Sequence, residues 1–424
     1  MRTRAVVRRR VRVWACLLVA AVLSSCAPAP PPPLTFSASV LGAEGEVVRR
    51  QIARFAAAYP AVAVDIRVTP DAADLRHQLY VQWLNAWAPT PDVLQLDPIW
   101  TAEFAAAGWI LPLGAFAPDT SDFFPAALAA SRWRGRLFAL PWIVDVGMLY
   151  WRTDLMPAPP ATFADLTAIA RGRLDDGVVS QGFVWQGARY EGLVCVFLEF
   201  LAAHGGAILD PQGRVTVDAP AAVRALAAMR QGLVDGVVPR SVLTAQEEQT
   251  RFAFQRGDAL FLRNWPYAAA LLNAPSSPVA GRFAVAPMPG ATAAGAAALG
   301  GAQLAINARS RRPAEAWTRV EFLTAPAQLA ERARVAGQFP ARPSLYAPGA
   351  LDGAWPVPAD DVRRIIERAH PRPVTPIYTE LSDVLQVRLH RALTDQETPA
   401  QALAGAAAGM RTALARAGLD GGAR

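Results

Sequence analysis

The chain contains no lysine, three cysteines and four histidines, and only 18% of its 424 residues are charged. Histidines and thiols this few and this scattered predict neither a structural nor a catalytic metal site, and we expect no other cofactor. The formal charge is +7, but six arginines within residues 2–12 supply almost all of it. The nearly neutral remainder lacks the basic patch that nucleic-acid binding requires, so no nucleic-acid partner is predicted.

The hydrophobic content is high for a chain with so little charge. It reaches 53%, which is typical of a well-packed globular protein rather than a disordered chain. The length is sufficient for two or three domains of ordinary size.

Residues 1–25 have the pattern of a signal peptide. The arginines precede an apolar run at residues 13–23, which is too short to span a bilayer, and Leu-Ser-Ser-Cys follows at 23–26. This ending resembles the lipobox of bacterial lipoproteins, which implies that Cys26 is the lipidated first residue of the mature protein. The alternative is an ordinary signal peptide followed by an incidental cysteine.

The segment after Cys26 is a proline-rich spacer. Residues 27–33 include five prolines, which predict an extended, semi-rigid linker between the membrane and the folded part. Removal of Cys16 with the signal and lipidation of Cys26 leave Cys195 alone, so we expect no intramolecular disulfide.

The folded part begins with alternating strand and helix patterns. Strands are predicted near residues 34–39, 62–68 and 91–97, with helices between them, which indicates a parallel sheet of the α/β class with helices on both faces. Ligands of such sheets bind at the carboxyl ends of the strands, where Glu44 and Asp97 fall. Asp97 has an alternative interpretation as the cap of the helix that starts near Ile99.

Residues 140–152 read as one buried strand with a single carboxylate inside it. An unpaired charge in such a run is costly, so Asp145 is expected to have a partner. Two interpretations fit: a structural carboxylate bonded to nearby backbone or to Arg152, or a residue that contacts a ligand.

Several segments, in order along the mature chain, are similar to the extracellular solute-binding proteins of sugar ABC importers. Some of them resemble the trehalose/maltose-binding branch in particular. The segments are Leu-Asp-Pro-Ile-Trp at 96–100, Ala-Leu-Pro-Trp-Ile-Val-Asp at 139–145, Tyr-Trp-Arg-Thr-Asp-Leu at 150–155, Arg-Asn-Trp-Pro-Tyr at 263–267, Leu-Gly-Gly at 299–301 and Pro-Arg-Pro-Val-Thr-Pro at 371–376.

The resemblance implies a two-lobe fold of the periplasmic-binding-protein type, with the ligand cleft at a hinge of three crossings. Lobe 1 would comprise residues 34–145 and 299–339, and lobe 2 residues 146–298 and 340–424. It also implies a monomeric, exported protein at the outer face of the cell membrane or in the periplasm. Its partners would be a sugar and the transmembrane subunits of an ABC permease, with the lipid anchor as its contact with the membrane.

The resemblance also implies a set of sugar-contacting residues. Carboxylates and arginines hold sugar hydroxyls by charge-assisted hydrogen bonds, and aromatic rings stack on the C–H faces. The implied residues are Glu44, Arg76, Asp97, Asp145, Trp265, Tyr267, Gly301 and Arg372.

Besides Asp97 and Asp145, three of these positions have a second interpretation. Arg76 fits a solvated helix face equally well, and an aromatic pair at i and i+2, such as Trp265 and Tyr267, is usually core on one strand face. The chain also departs from the branch at Ile143 and Ala302, where the branch has aromatic residues. Both changes remove stacking area, so a bulkier or differently linked glycan also fits.

Two other functions are alternatives to sugar capture for transport. A glycoside hydrolase needs an acid and a second carboxylate at a defined separation, which a sequence does not supply. The resemblance and the lack of any other catalytic constellation favour a protein without catalytic residues. A surface sensor or adhesin that binds sugar without transport is the third class.

The lipobox generates a direct prediction. A fatty-acid probe fed to expressing cells should label the wild-type protein and fail to label Cys26→Ala, because this thiol is the predicted acylation site. Label retained in Cys26→Ala would contradict the lipoprotein assignment.

Overall fold

Two β-sheets organise the fold in the computed structural model, which describes residues 32–39, 43–70, 72–293, 295 and 297–419. The predicted signal peptide, Cys26 and most of the proline-rich spacer lie outside these residues. Within the described part, no helix is long and apolar enough to cross a bilayer.

The larger sheet has seven strands in the described part of the chain, in the order β12-β6-β11-β3-β1-β2, with β13 paired to β11. Its strands are β1 (Leu34–Ala38), β2 (Val64–Val68), β3 (Val93–Leu96), β6 (Ala139–Val146), β11 (Ala298–Ile306), β12 (Phe339–Pro340) and β13 (His370–Pro371). The smaller sheet has the order β10-β7-β9-β8, and a separate hairpin pairs β4 with β5. These strands are β4 (Arg132–Trp133), β5 (Arg136–Leu137), β7 (Met148–Arg152), β8 (Gln181–Val184), β9 (Ala259–Asn264) and β10 (Phe283–Pro287).

Helices connect and cover both sheets. In chain order they are α1 (Glu44–Ala58), α2 (Ala73–Asn85), α3 (Thr101–Ala106), α4 (Pro125–Ala130), α5 (Phe163–Asp175), α6 (Glu191–Ala203), α7 (Pro220–Val234), α8 (Glu247–Gln255), α9 (Tyr267–Leu272), α10 (Pro313–Thr324), α11 (Pro326–Ala336), α12 (Ala359–Glu367), α13 (Tyr378–Leu393) and α14 (Pro399–Arg416). Short 3₁₀ turns lie at Pro98–Trp100, Leu113–Phe116, Arg240–Thr244 and Pro343–Tyr346.

The predicted parallel arrangement is confirmed for the first three strands and does not extend to the whole sheet. β1 pairs in parallel with β2 and β3, whereas β11 runs antiparallel to both β3 and β6. The sheet is mixed because β11 enters it from the smaller sheet rather than through a helical crossover. β3 and β6 still run in the same direction, so their carboxyl ends lie at one edge.

The prediction of one continuous strand over residues 140–152 was wrong. The chain passes from β6 in the larger sheet to β7 in the smaller one, and Gly147 lies between them. A Cβ on Gly147 would lie 1.8 Å from Glu199 Oε1 and 2.6 Å from Arg263 Nη2. The missing side chain at Gly147 therefore lets the crossing lie directly against a buried ion pair.

That ion pair joins helix α6 to strand β9, at the place where the chain passes twice from one sheet to the other. The Glu199 and Arg263 side chains are both fully buried, with Arg263 Nη2 2.5 Å from Glu199 Oε1. Gln186 Oε1 accepts a hydrogen bond from Arg263 Nη1 at 3.1 Å, and Glu199 Oε1 also accepts from the Ala298 amide at 3.3 Å. Because Ala298 begins β11, the pair contacts both the β6–β7 crossing and the β10–β11 crossing.

Helix α6, which carries Glu199, is buried on nearly every side. Eleven of its residues, Glu191 to Leu201, are buried, as expected for an almost continuously apolar helix. It packs against α7 and α13, and Cys195 lies within it as a buried free thiol. The helix therefore forms the core beside the smaller sheet.

The predicted lobe boundaries can be compared with the strands. All four strands of the smaller sheet lie within residues 146–298, whereas β1, β2, β3 and β6 start and end, to within one residue, inside 34–145. After residue 339 the chain still adds β13 to the larger sheet, and α13 then packs on α6 and α7. The boundaries at 145/146, 298/299 and 339/340 stay predictions.

The close approach at Gly147 predicts a large effect of a single methyl group. Gly147→Ala should lower the free energy of unfolding by about 2–4 kcal/mol, because the Cβ displaces one partner of a buried ion pair. Urea unfolding measures it. The control is Gly172→Ala in α5, where an added Cβ meets nothing within 4 Å and should stabilise by up to about 1 kcal/mol. Equal stability of Gly147→Ala and wild type would contradict the geometry.

Candidate binding site

The carboxyl ends of strands from both sheets meet at one cavity of about 360 Å³. β1, β3 and β6 reach it from the larger sheet, and the residues that follow β8 and β9 reach it from the smaller one. All eight residues predicted from the sequence line this cavity: Glu44, Arg76, Asp97, Asp145, Trp265, Tyr267, Gly301 and Arg372.

The floor of the cavity is the pairing of β6 with β11. Asp145 lies opposite Gly300, and Val144 opposite Gly301. Gly301 has φ +124°, and a Cβ on it would lie 2.3 Å from the Ile143 carbonyl oxygen. A side chain at Gly301 therefore fits neither the backbone conformation nor the space, and Gly300, the residue that faces Asp145, also has no side chain.

Asp145 has no hydrogen-bond or ion-pair partner among the described residues. The proposed partner Arg152 binds Asp154 instead, at 2.7 and 2.6 Å, so the structural interpretation of Asp145 as an Arg152-bonded carboxylate was wrong. Burial, followed by the charges of Glu44 and Asp97, raises the pKa of Asp145 to about 7, although Arg332 and Arg263 oppose the shift. The carboxyl group is thus available to the cavity and titrates near neutral pH.

Asp97 and Arg372 form a bridge across the cavity wall. Arg372 Nη2 donates to Asp97 Oδ1 at 2.6 Å, and Arg372 Nη1 donates to Glu191 Oε1 at 3.0 Å. Asp97 Oδ1 also accepts from the Ile99 amide at 3.2 Å, so the helix-cap interpretation and the cavity position are both correct. Glu191 further accepts hydrogen bonds from Tyr378 and Ser382, and burial raises its pKa.

Glu44 is held from behind by two buried side chains. Gln338 donates to Glu44 Oε1, and Arg332 Nη2 lies 3.5 Å from the same oxygen. Arg332 is almost fully buried and stacks over the Trp142 ring at 3.9 Å. Glu44 therefore lies at the start of α1 with one oxygen engaged and its carboxylate facing the cavity.

Trp265 and Tyr267 lie beyond the end of β9 rather than on one face of a strand. The Trp265 ring is covered on one face by the Arg263 guanidinium at 3.8 Å, and its Nε1 donates to Glu247 Oε1 at 3.2 Å. Tyr267 is the first residue of α9, and its hydroxyl donates to Glu248 Oε1 at 2.7 Å. Both rings are fixed by these contacts and border the cavity.

Arg76 reaches the cavity from α2 and is only partly exposed. Its Nε donates to the Pro70 carbonyl oxygen at 3.0 Å, which orients the guanidinium at the cavity wall. Arg76 therefore lies at the cavity wall, and its contact with a ligand stays a prediction.

Sequence reasoning missed several lining residues. Tyr190 and Glu191 follow β8, so the carboxyl-end rule that identified Asp97 applies to them as well. The residues at the start of α8 lie in the cavity through tertiary packing, which no local pattern indicates. The missed lining residues with polar side chains are Ser39, Gln95, Tyr190, Glu191, Gln246, Glu247, Glu248, Gln249 and Gln338.

The two positions that differ from the trehalose/maltose branch are direct neighbours. Ile143 on β6 lies opposite Ala302 on β11, and both border the cavity. Both departures from the branch therefore fall on the same part of the cavity wall. Small or aliphatic side chains line it there in place of aromatic rings.

The cavity chemistry is that of a site for a polyhydroxylated molecule. Carboxylates accept hydrogen bonds from hydroxyl groups, arginines donate to ring and hydroxyl oxygens, and aromatic rings contact C–H faces. No group of three or more histidine, cysteine, aspartate or glutamate side chains is placed to hold a metal within the described ranges.

Comparison with known proteins gives consistent matches. The sequence profile of the bacterial extracellular solute-binding proteins matches residues 41–330. The chain is 36% identical over 348 residues to a probable ABC transporter-binding protein of Deinococcus radiodurans, covering 79% of this chain and 82% of that protein.

Solved structures extend the similarity to the fold. The maltose-bound structure of T. maritima MalE3 is 39% identical, covers 90% of this chain and 100% of its own, and superposes with a TM-score of 0.85. The GacH receptor of Streptomyces glaucescens, solved unliganded and with acarbose, is 22% identical, with a TM-score of 0.82 and coverage of 90% and 98%. The chain shares the two-lobe α/β architecture of these proteins.

The raised pKa of Asp145 predicts a pH-dependent stability. The folded state keeps this proton up to about pH 7 and the unfolded state releases it near 3.8, so wild-type stability should fall as the pH rises between these values. Asp145→Asn should therefore be more stable than wild type by about 2–4 kcal/mol at pH 8, a gain that vanishes by pH 4.

Urea unfolding of the ligand-free proteins at pH 4, 6 and 8 measures this difference. Asp65→Asn, at an exposed position on β2, is the control and should show a small difference that does not vary with pH. An Asp145→Asn difference that stays constant with pH would contradict the assigned environment.

Proposed function

Because the chain belongs to the family of bacterial extracellular solute-binding proteins, we propose that it captures a sugar for an ABC transporter by closing two lobes around it. The observation that carries this proposal is the convergence of all eight resemblance-implied residues on one cavity. They come from segments between residues 44 and 372, and only the fold brings them together.

The contacts of the site residues support binding of a neutral sugar. Asp145 has no protein partner, and Glu44 and Asp97 are each held by arginine and can accept further hydrogen bonds from hydroxyl groups. Trp265 borders the cavity and would stack on the C–H groups of a pyranose ring. The hydroxyl groups at the edges of the bound ring would thus bond to fixed protein acceptors instead of water. One face of the ring would lie on an aromatic side chain.

Our best candidates for the ligand are a disaccharide, maltose or trehalose, or a short glucan. The maltose in T. maritima MalE3, at 39% identity, supports the glucan class. The aliphatic pair Ile143 and Ala302 marks where the ligand would differ from that of the trehalose/maltose branch, because stacking on that side is absent.

The transport step follows from the position of the cavity between the two sheets. Ligand contacts from both sheets favour the closed arrangement over the open one, so binding shifts the hinge towards closure. The closed form would then be presented to the permease transmembrane subunits. In this scheme the protein is an exported monomer held at the membrane by the lipid on Cys26.

We propose binding without catalysis. The family and the relatives with the higher identities are binding proteins. Asp145, with a pKa near 7, has the protonation behaviour of a general acid, so the alternative of glycoside hydrolysis is testable. Monosaccharide released from maltose or trehalose by the purified protein would contradict the proposal.

A thermal-shift panel of maltose, maltotriose and trehalose tests the function. At least one sugar should raise the melting temperature, because a ligand that binds only the native state stabilises it. Calorimetry with that sugar should find Asp145→Ala weaker by about tenfold or more, roughly 1.4 kcal/mol, because bound hydroxyls lose their acceptor. Asp65→Ala serves as the control. The absence of a shift with every sugar would contradict sugar binding of this class.

A further inference from the structure

Two arginines are buried on the neighbouring helices α10 and α11, which pack on each other. Arg319 on α10 is 0% exposed and Arg332 on α11 is 1% exposed. A guanidinium has five N–H donors and a permanent charge, so a buried one needs partners for both. Within the described part of the chain, Arg319 Nε, Arg319 Nη2 and Arg332 Nε have no hydrogen-bond partner. Both side chains are therefore costly to bury, and the contacts of each show what it can do.

The charge of Arg319 faces aromatic rings. Its guanidinium lies 4.9 Å from the centre of the Phe55 ring, and farther from the rings of Phe36 and Phe322. Its Nη1 donates a hydrogen bond to the Gln51 carbonyl oxygen at 3.4 Å. None of these neighbours lines the cavity. Arg319 is therefore a residue of the core without a link to the site.

Arg332 contacts the site from outside the cavity. Its guanidinium stacks over the Trp142 ring at 3.9 Å, and its Nη1 lies 3.5 Å from Gln51 Oε1. Its Nη2 lies 3.5 Å from Oε1 of Glu44, which lines the cavity, whereas Arg332 itself does not. Any effect of Arg332 on a ligand is therefore exerted through other side chains.

The charges around Asp145 are those of two carboxylates and two arginines. Burial raises its pKa to about 7, and the charges of Glu44 and Asp97 add to the rise. The charge of Arg332 opposes the rise more strongly than that of Arg263 does. Arg332 is thus the main positive charge that favours the ionised form of Asp145.

The influence is mutual. Burial lowers the pKa of Arg332 to about 10, and the charges of Glu44, Asp145 and Glu331 oppose this fall. The charge of Arg332 adds to the effect of burial in lowering the pKa of Arg319, so the two arginines repel each other. The negative charges at the cavity therefore stabilise Arg332 in its buried position.

Two tyrosines also face Asp145. Burial raises the pKa of Tyr150 and that of Tyr346, so both hydroxyl groups are neutral near pH 7. They therefore supply no charge to the cavity in the range where Asp145 titrates.

We propose that Arg332 is a positioning residue of the binding site, which holds the Glu44 carboxylate and supplies the positive charge that favours an ionised Asp145. This inference rests on the proposed function and deepens it. Without that charge, Glu44 would keep Gln338 as its partner, and Asp145 would hold its proton to a higher pH. A protonated carboxyl accepts a weaker hydrogen bond from a sugar hydroxyl than a carboxylate does.

The first test compares Arg332→Lys with Arg332→Met. Both side chains are unbranched and lose the planar fork over Trp142, but only lysine keeps the charge. Calorimetry at pH 7 uses the tightest-binding of maltose, maltotriose and trehalose. Arg332→Met should bind this sugar about tenfold more weakly than wild type, and Arg332→Lys within about threefold of it.

Arg319→Met is the matched control, because it also removes a buried arginine with unpaired N–H groups. It should bind the sugar within about threefold of wild type. Each variant is first checked for a cooperative thermal transition. If Arg332→Met shows none, Arg332→Gln takes its place as the neutral variant.

The second test measures the pH profile of affinity, which a purely structural role of Arg332 would not shift. Asp145 of the ligand-free protein takes up a proton near pH 7, so wild-type affinity should fall as the pH is lowered from 9 to 6. In Arg332→Met the midpoint of this fall should move to higher pH by about one unit or more. In Arg332→Lys it should stay close to that of wild type.

The outcomes separate the two proposals. If wild type binds none of the three sugars, the proposed function fails and this inference fails with it. If wild type binds a sugar, and the charged and neutral variants at position 332 bind it with equal affinity and the same pH profile, the inference alone is overturned.

Discussion

The buried ion pair between Glu199 and Arg263 is the interaction on which both the hinge and the site depend. Two fully buried charges are costly unless each is well paired, and here the Arg263 donors are satisfied by Glu199 and Gln186. The Ala298 amide donates a hydrogen bond to Glu199 of the same pair, and the pair leaves no room for a side chain at Gly147. Arg263 also covers one face of Trp265. Two chain crossings and the aromatic platform thus share one rigid support.

The charged groups around the cavity fall into two classes. Glu44, Asp97 and Glu191 are each held by a buried arginine, which fixes their positions. Asp145 has no such partner within the described ranges and lies opposite Gly300 at the cavity floor. The first class provides a preorganised wall, and the second provides acceptors that a ligand can complete. This division explains how a cavity with many carboxylates remains stable without ligand.

Much of the site could be predicted from the sequence because strand ends are local features. Asp97 follows a recognisable strand, and the motif around Trp265 is similar to that of a known family, so both were placed at the cavity correctly. The break at Gly147 was missed, because β6 and β7 form one apolar run and only the packing of Glu199 requires the crossing there. Glu247 was missed because its position at the cavity depends on where α8 packs. The expectation that Asp145 has a protein partner failed for the same reason: partners are set by tertiary contacts.

The most direct measurement is a crystal structure of the protein grown with a saturating concentration of the sugar that gives the largest thermal shift. We expect one pyranose ring stacked on Trp265, with a hydroxyl group within hydrogen-bond distance of the Asp145 carboxylate. Sugar density outside this cavity, with Asp145 and Trp265 contacting only water, would contradict it.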